Sequence, residues 1–399
     1  MNKFGKYFLL TTGFAFLAAF ARIPGAITKV HAAAHAGEIQ FTPLSDPNAR
    51  PSTEGNVIND LGVAAGIYEG GADVYYGFVS TPPYSNESFT TVAAAGIPHT
   101  GIWGINLEGT ITGNSLDASG VYHGTVSHPP YSTVTLFDAP GACTSASPVC
   151  LGTSAWNINL EGVIAGYYTD ADGVNHGYVT HPPYTESTFT TIDAPGACSS
   201  GPGCSGLGTI IFYFSLNDLG VVTGYFLDAN QVPHGYVTHP PYTESTFTTF
   251  DAPGACSSGP ACAFEGTTPE SINLFGVITG TYYDAEGVGH GFVTYPPYTN
   301  TTFTSFDAAG SIDTLPSSIN AEGVVVGFFS DAAGVNHGFV SHPPYTTVTS
   351  FDAPHACSSD SNPACSGKGT FAYGINVEGM FTGGAKDASG HGHGFVAQQ

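Results

Sequence analysis

Short segments in which apolar and polar residues alternate, separated by Gly, Pro, Asn and Asp, follow one another from about residue 40 to the end of the chain. Alternation with a period of two is typical of β-strands that bury one face. Long solvated helices need many exposed Lys, Glu and Arg residues, and charged residues make up only 10% of this sequence. The pattern therefore predicts an all-β protein of short strands and tight turns.

One unit of this pattern recurs seven times, and its best copies are residues 154–197 and 270–310. In most copies the first strand ends at Ile-Asn, and the second is of the Gly-Val-Ile-x-Gly-Tyr-Tyr type. The third includes His-Gly-Tyr-Val-Thr and stops at Pro-Pro-Tyr, because two prolines cannot continue a ladder. The fourth reads Thr-Phe-Thr-Thr-Phe-Asp. The asparagines that anchor the copies are Asn59, Asn106, Asn159, Asn217, Asn273, Asn320 and Asn376.

Four strands per copy, repeated seven times, predict a seven-bladed β-propeller. The last copy stops at Gln399 before its fourth strand, and the segment from Phe41 to Ala49 resembles that missing strand. Placed as the outer strand of the last blade, this N-terminal segment closes the ring and removes an open sheet edge. The alternatives are an open β-solenoid and an irregular array of repeats.

Residues 1–36 have the pattern of an export signal. Lys3 and Lys6 form a basic start, and an apolar run from Phe8 to Ala21 follows, which is too short to span a bilayer comfortably. Residues 37–399 then form a single propeller domain. No later segment is apolar enough to cross a membrane, so we predict a secreted or periplasmic protein without a membrane span after processing.

The motif His-Gly-Phe/Tyr after a Gly-Val-x-x-Gly strand, as at His176 and His337, resembles the extracellular HAF-repeat family, named for His-Ala-Phe. The first copy departs from the motif, because Tyr76 replaces the histidine. The resemblance covers almost all of the chain after the export signal. It implies an exported repeat protein without an established activity, and it brings no catalytic residues to this sequence.

The charge of the chain is one-sided, with 7 Lys and Arg against 31 Asp and Glu and a net charge of −24. Four of the bases and none of the acids lie in the export signal, so its removal leaves a net charge of −28. Such a surface repels phosphate backbones and anionic lipids, which excludes nucleic-acid binding. The acidity serves either solubility or the attraction of cationic partners.

The eight cysteines fall into close pairs, and each pair lies in a loop between two copies. Cysteines that occur in close pairs in an exported protein predict local disulfides. Zinc is the alternative, but the Cys-x-x-Cys spacing is absent. The predicted pairs are Cys143–Cys150, Cys198–Cys204, Cys256–Cys262 and Cys357–Cys365.

Histidines recur at one position of the repeat, and aspartates recur in the Asp-Ala-x-Gly turns. A histidine that packs between blades and bonds to backbone is favoured over a metal or proton site, because equivalent positions lie far apart. Asp170 and Asp172 resemble the start of a calcium loop, but further ligands are missing. A hairpin turn is therefore preferred to calcium, and no cofactor is predicted. The histidines are His123, His176, His234, His290, His337 and His393.

The residue three before each anchoring asparagine varies although its surroundings do not, and it holds both tryptophans of the protein. We predict that it lies near the axis, on the face that carries the Cys loops. Aromatic rings and carboxylates there suit sugar binding, and packing between blades is the alternative. The candidates for ligand binding are Trp103, Trp156, Phe214, Glu270 and Tyr373, and Asn56 and Ser317 occupy the same position in other copies.

No Gly-x-Ser-x-Gly, His-Glu-x-x-His or phosphate-loop motif occurs. We therefore favour a monomeric, non-catalytic recognition or scaffold protein that binds a polysaccharide or another surface protein through one propeller face. The alternative is a glycoside hydrolase or polysaccharide lyase that uses irregularly placed acids near the axis, namely Glu265, Glu270 and Asp313. A purely structural envelope protein, without affinity for small ligands, is the third hypothesis.

Overall fold

The computed structural model describes residues 38–44, 52–71, 74–97, 99–145, 149–358 and 363–399, so the predicted export signal lies outside the described residues. The chain divides into two units, Met1–Glu38 with Gln399, and Ile39–Gln398. All the strands that the structure describes belong to the second unit. No helix in the described ranges is long and apolar enough to cross a membrane.

The strands follow the repeat. After β1 (Gln40–Leu44), the first copy contains β2 (Thr53–Ile58), β3 (Ala64–Glu69), β4 (Tyr75–Ser80) and β5 (Phe89–Val92). The second contains β6 (His99–Ile105), β7 (Ile111–Leu116), β8 (Tyr122–Ser127) and β9 (Thr135–Phe137). The third contains β10 (Thr153–Ile158), β11 (Ile164–Thr169), β12 (Asn175–Thr180) and β13 (Thr190–Ile192). The fourth contains β14 (Gly208–Ile210), β15 (Val222–Leu227), β16 (Pro233–Thr238) and β17 (Thr248–Phe250).

The remaining copies keep the same order. The fifth contains β18 (Thr267–Ile272), β19 (Ile278–Tyr283), β20 (Gly289–Thr294) and β21 (Thr304–Phe306). The sixth contains β22 (Ser311–Ile319), β23 (Val325–Asp331), β24 (Asn336–Ser341) and β25 (Val348–Phe351). The seventh contains β26 (Gly369–Ile375), β27 (Met380–Lys386) and β28 (Gly392–Gln398). Short 3-10 helices are Asn86–Ser88, Glu186–Thr188, Pro202–Cys204, Glu244–Thr246, Pro260–Cys262, Asn300–Thr302 and Pro363–Cys365.

Consecutive strands of each copy pair antiparallel, which makes the protein an all-β assembly of small antiparallel sheets. In the seventh copy the fourth place is taken by β1, which pairs antiparallel with β28 from Gln40 opposite Gln398 to Leu44 opposite Gly394. This is the pairing predicted for the segment that begins at Phe41. The last strand of the chain therefore has a partner at its outer edge.

The apolar core is divided into clusters that join one copy to the next. One cluster packs Val126 and Phe137 of the second copy against Ile164 and Tyr178 of the third. Full burial of a side chain of this size contributes roughly 2 to 3 kcal/mol. Gly166, on the second strand of the third copy, lies so close to the first strand of that copy that a Cβ would clash with the carbonyl oxygen of Ser154. Glycine at this position thus lets the two adjacent strands approach closely.

The anchoring asparagines link successive copies by hydrogen bonds. Each uses Oδ1 to accept backbone N–H groups of its own turn, as predicted for a turn former, and uses Nδ2 to donate to the carbonyl oxygen of the next anchoring asparagine. Asn376 of the seventh copy donates to the carbonyl of Asn59 in the first, at 3.0 Å. The series of seven donor bonds therefore returns to its start. We call these residues the asparagine ring.

Four disulfides confirm the predicted pairing of the cysteines. Each closes a short segment, with sequence separations of 6 to 8 residues. Loops of this size gain about 2 kcal/mol each in the chain-entropy account, so the bonds stiffen the loops between copies more than they hold the whole fold. Four disulfides fit an oxidising, extracellular type of environment.

The recurrent histidines bond to carboxylates, which corrects the expected bonding to backbone. In five copies Nδ1 lies 2.8 to 3.0 Å from the aspartate that follows the fourth strand, and Nε2 lies 3.2 to 3.9 Å from the aspartate of the Asp-x-x-Gly or equivalent turn. The aspartate that follows the fourth strand is therefore the closer partner of the histidine in each of these copies. These pairs are His123–Asp138, His176–Asp193, His234–Asp251, His290–Asp307 and His337–Asp352.

Asp170 and Asp172, the two calcium candidates, lie in the turn between β11 and β12. Oδ1 of Asp170 accepts the backbone N–H groups of Asp172 and Val174, both at 2.9 Å, and its Oδ2 lies 3.4 Å from Nε2 of His176. Across the described ranges, no group of three or more His, Cys, Asp or Glu residues is arranged to hold a metal ion. Asp170 therefore builds the turn and holds the histidine.

The histidine–aspartate pairs predict that the protein is most stable at mildly acidic pH. Bonds to Asp193 and Asp251 raise the pKa of His176 and His234, and bonds to two aspartates outweigh burial at His290. This stabilisation is complete below the unfolded pKa of about 6.5 and is lost as pH rises through the higher folded pKa. Backbone hydrogen bonds lower the pKa of turn aspartates such as Asp284, and their contribution is lost only below about pH 4.

Thermal unfolding followed by circular dichroism from pH 3 to 9 should therefore give a maximum Tm between about pH 4 and 6.5. A variant with Gln at His176, His234 and His290 should show a flatter decline above pH 6.5, because glutamine does not titrate. An equal alkaline decline in this variant and in the wild type would assign the effect to other groups.

Candidate functional site

The variable position three before each anchoring asparagine is a β-bulge in six copies. The register between the first and second strands shifts there, for example between Ile102 and Gly104 around Trp103, and between Pro269 and Ser271 around Glu270. A bulge residue leaves the ladder, and its side chain is aimed differently from its neighbours. This explains why the residue type varies at this position although the neighbouring residues of the repeat are constant. The six residues, which we call the bulge ring, are Asn56, Trp103, Trp156, Glu270, Ser317 and Tyr373.

The fourth copy differs because its first strand carries two additional residues. In six copies a threonine hydroxyl accepts the N–H of the alanine that ends the preceding copy, and Thr209 is that threonine in the fourth copy. Thr209 lies eight residues before Asn217, whereas the five other threonines lie six before theirs. The strand β14 therefore ends at Ile210, and the segment Phe212–Phe214 leaves the sheet.

Phe214, predicted as a member of the variable position, is instead part of this insertion. Its φ is +52°, which is unusual for a residue with a side chain. Its carbonyl accepts the N–H of Ile272 at 3.0 Å, and its ring reaches the neighbourhood of Gly374 and packs with Val57. The inserted segment of the fourth copy thus crosses to the seventh and first copies.

Trp103 and Trp156 form an aromatic cluster with this insertion. Their ring centroids lie 5.3 Å apart, and that of Tyr213 lies 4.6 Å from Trp156 and 5.6 Å from Trp103. Phe212 contacts Trp156 edge-on at 5.5 Å. Nε1 of Trp103 donates to Oδ1 of Asn114 at 2.8 Å, whereas Nε1 of Trp156 is buried without a partner among the described residues. The tryptophans therefore contact each other and the inserted rings, as the packing alternative expects.

Glu270 is the half-buried acid of the bulge ring. Burial raises the pKa of its carboxyl group to about 8, so the group is largely protonated at neutral pH. Burial, followed by the charge of Glu270, raises the pKa of Tyr213 and of Tyr225, which places both phenols near this carboxyl group. No described residue bonds the carboxyl group, although the Glu270 backbone carbonyl accepts from Ser215 Oγ at 3.3 Å.

Tyr373 lies near a second acid, Glu54 of the first copy. Burial raises the pKa of Tyr373, and the charges of Glu54 and Tyr213 add to the effect. The carboxylate of Glu54 lies 3.6 Å from Nζ of Lys386, and this ammonium group stands 5.6 Å from the centroid of the Phe371 ring. Glu54, which sequence reasoning missed, is another acid near the bulge ring. The sequence does contain a clue to Glu54. It lies five residues before the anchoring asparagine of the first copy, and the other copies have uncharged residues at that position.

A cavity of about 290 Å³ is lined by residues of all seven copies, and we call it the axial cavity. Trp103, Trp156 and Phe214 form part of its wall together with residues of the asparagine turns. The candidates were expected on the face that carries the Cys loops, but no described residue of these loops lines the cavity. The other two candidates, Glu270 and Tyr373, do not line it either.

A second, larger space of about 590 Å³ lies over the histidine pair of the fourth copy, and we call it the His234 groove. Its wall contains His234 with its two carboxylate partners, Asp228 and Asp251, and polar groups of Thr249 and Asn300. The aromatic residues of the wall, such as Phe226, are largely buried. The groove therefore offers a ligand hydrogen bonds with polar side chains rather than exposed faces of aromatic rings.

No protein-family model matches the sequence, and no curated protein matches it. Similar solved structures include AofleA from Arthrobotrys oligospora, with 12% identity over 79% of this chain and 89% of that chain and a TM-score of 0.42. They also include Aleuria aurantia lectin in complex with Fucα1-6GlcNAc, with 10% identity over 78% of this chain and 96% of that chain and a TM-score of 0.42. At these values the likeness transfers no function.

Proposed function

We propose that the chain is a secreted, seven-bladed β-propeller that acts as a non-catalytic recognition protein and binds saccharides in the His234 groove. Support for the ring comes from the asparagine bonds, which return from Asn376 to Asn59, and from the pairing of β1 with β28. Support for export comes from the four disulfides.

The observation that carries the binding proposal is the chemistry of the groove. Carboxylates, an imidazole, a hydroxyl group and an amide converge on a space of about 590 Å³, which is within the range of ligand sites. The side chain of Asp251 is 36% exposed, so it can accept hydrogen bonds from the hydroxyl groups of a sugar.

The proposal predicts that purified protein binds members of a panel of soluble and insoluble polysaccharides without releasing reducing ends. Asp251→Asn with Asn300→Ala should weaken binding about tenfold, because two polar contacts are lost. The control is Asp352→Asn, which alters the equivalent histidine pair of the sixth copy outside the groove. Equal binding by all three proteins, or no binding at all, would contradict a saccharide site in the groove.

One observation favours a second function, cleavage of a glycosidic bond. Glu270 is an irregular acid with a pKa of about 8, suited to donate a proton at neutral pH, and Glu54 is a second acid near the same phenol, Tyr213. The reducing-end measurement separates the two functions. Release of sugar that is abolished by Glu270→Gln would replace the recognition proposal by a hydrolase.

A further inference from the structure

The turns that follow the asparagine ring present a mixed apolar and acidic surface. Each turn has the form Asn-x-x-Gly, and its two middle residues are one apolar residue and one acid in six of the seven copies. The fifth turn has two apolar residues, Leu274 and Phe275. We call the middle residues the turn collar: Asp60, Leu61, Leu107, Glu108, Leu160, Glu161, Asp218, Leu219, Leu274, Phe275, Ala321, Glu322, Val377 and Glu378.

The apolar members of the collar are unusually exposed. Leu61 is 66% exposed, Leu219 is 52% exposed, and Phe275 is 47% exposed. Seven of the fifteen exposed large apolar residues found among the described residues belong to the collar. Exposed apolar residues that gather in one place, surrounded by polar groups, mark interaction surfaces.

The collar surrounds one end of the axial cavity. Asp60, Asp218, Leu274, Ala321 and Val377 belong to both. The rest of the wall combines apolar side chains, such as those of Ile319 and Trp156, with polar groups of the asparagine turns. A space of about 290 Å³ behind this mixed rim is large enough for one large apolar side chain.

The charge of the collar selects the partner. It holds six acids and neither Lys nor Arg. Asp60 and Asp218 are exposed, and each uses Oδ1 to accept a backbone N–H from another copy, at 3.0 and 2.9 Å, which leaves Oδ2 for a ligand. Two collars placed face to face would bring twelve acids together, so like-charge repulsion disfavours a second copy, and anionic lipid is disfavoured for the same reason.

We propose that the turn collar binds a basic polypeptide segment, which inserts one apolar side chain into the axial cavity and pairs its flanking Lys or Arg residues with the collar carboxylates. The buried Nε1 of Trp156, which has no partner among the described residues, adds an unused donor in the wall of this cavity. A peptide carbonyl that reached the donor would satisfy it. This site is separate from the His234 groove, and neither proposal depends on the other.

The probe is a fluorescein-labelled peptide, Lys-Lys-Gly-Leu-Gly-Lys-Lys, titrated with the full chain and followed by fluorescence anisotropy. We expect saturable binding that weakens about tenfold when the leucine of the peptide is replaced by serine, because one apolar contact is lost. The double variant Asp60→Asn with Asp218→Asn should also bind about tenfold more weakly. Asparagine keeps Oδ1 as the acceptor of the backbone bonds, so folding is preserved.

Two matched controls separate the collar from the general acidity of the protein. Asp172→Asn with Glu286→Gln removes two exposed charges from turns of the other type. Leu136→Ser with Leu151→Ser removes two apolar residues that are 40% and 44% exposed outside the collar. Both controls should bind the peptide like the wild type, whereas Leu160→Ser with Leu274→Ser should lose about tenfold in affinity.

Three results would overturn the proposal. The first is equal weakening by the control variants and the collar variants, which would mean non-specific attraction. The second is the same affinity for the leucine and serine peptides. The third is self-association in analytical ultracentrifugation that disappears in Leu160→Ser with Leu274→Ser, which would assign the collar to a second copy of this chain.

Discussion

Replacing Glu270 by Gln should stabilise the protein at alkaline pH and leave its stability at pH 4 unchanged. The folded protein holds the proton of this carboxyl group up to a pKa of about 8, whereas the ordinary value is 4.5. For an acid whose pKa is raised by folding, stability is lost as pH rises from 4.5 through 8. The gap corresponds to at most about 5 kcal/mol, and glutamine removes this loss.

The measurement is urea unfolding of the wild type and Glu270→Gln at several pH values from 4 to 9. The difference in the free energy of unfolding should grow with pH and level off above pH 8. Glu286→Gln, at an exposed turn, serves as the control for the loss of one negative charge. A difference that is constant with pH would mean that Glu270 ionises normally in the folded protein.

Replacing Asn376 by Ala should destabilise the protein by about 3 kcal/mol, because buried backbone groups lose their partners. Asn376 is 3% exposed. Its Nδ2 donates to the carbonyl of Asn59 at 3.0 Å, and its Oδ1 accepts the N–H of Met380 at 2.9 Å. The first bond joins the last copy to the first, so the variant tests whether the ring of copies is closed.

The comparison variant is Asn217→Ala, which removes the equivalent bond, from Asn217 to the carbonyl of Asn273, in the middle of the chain. In a closed ring the two substitutions cost similar amounts in urea unfolding. Asn230→Ala, in an exposed turn, should change the free energy of unfolding by less than about 0.5 kcal/mol. A much smaller cost for Asn376→Ala than for Asn217→Ala would mean that the first and last copies are not joined.

The strands, the disulfides and the turn-forming role of the asparagines could be predicted because each depends on residues close in sequence. A strand that buries one face requires alternating apolar and polar residues, and two consecutive prolines end a strand whatever the rest of the fold is. The pairing of Cys143 with Cys150 follows from their short separation. The pairing of β1 with β28 is a distant contact, and it was accessible only because the repeat showed that one strand was missing.

The candidate site was less predictable, because it depends on how different copies meet. Counting back three residues from each asparagine found the bulge position but misplaced Phe214, since the insertion in the fourth copy is visible only when Thr209 is matched to its equivalents by their hydrogen bonds. The face was also misjudged, because the sequence does not show towards which end of the cavity a bulged side chain lies. The histidine partners were missed for a similar reason, since Asp251 follows β17 whereas His234 lies on β16.

By itself the sequence determined the all-β class, the repeat, the disulfide pairs and the acidity, because strand periodicity, turn chemistry and charge are local or additive properties. Only the tertiary structure decided that Trp103 and Trp156 contact Tyr213, that Glu270 loses enough water to raise its pKa to about 8, and that the exposed apolar residues form one collar. Contacts between copies and the exclusion of water arise from the packing of distant segments, and no short stretch of sequence contains them.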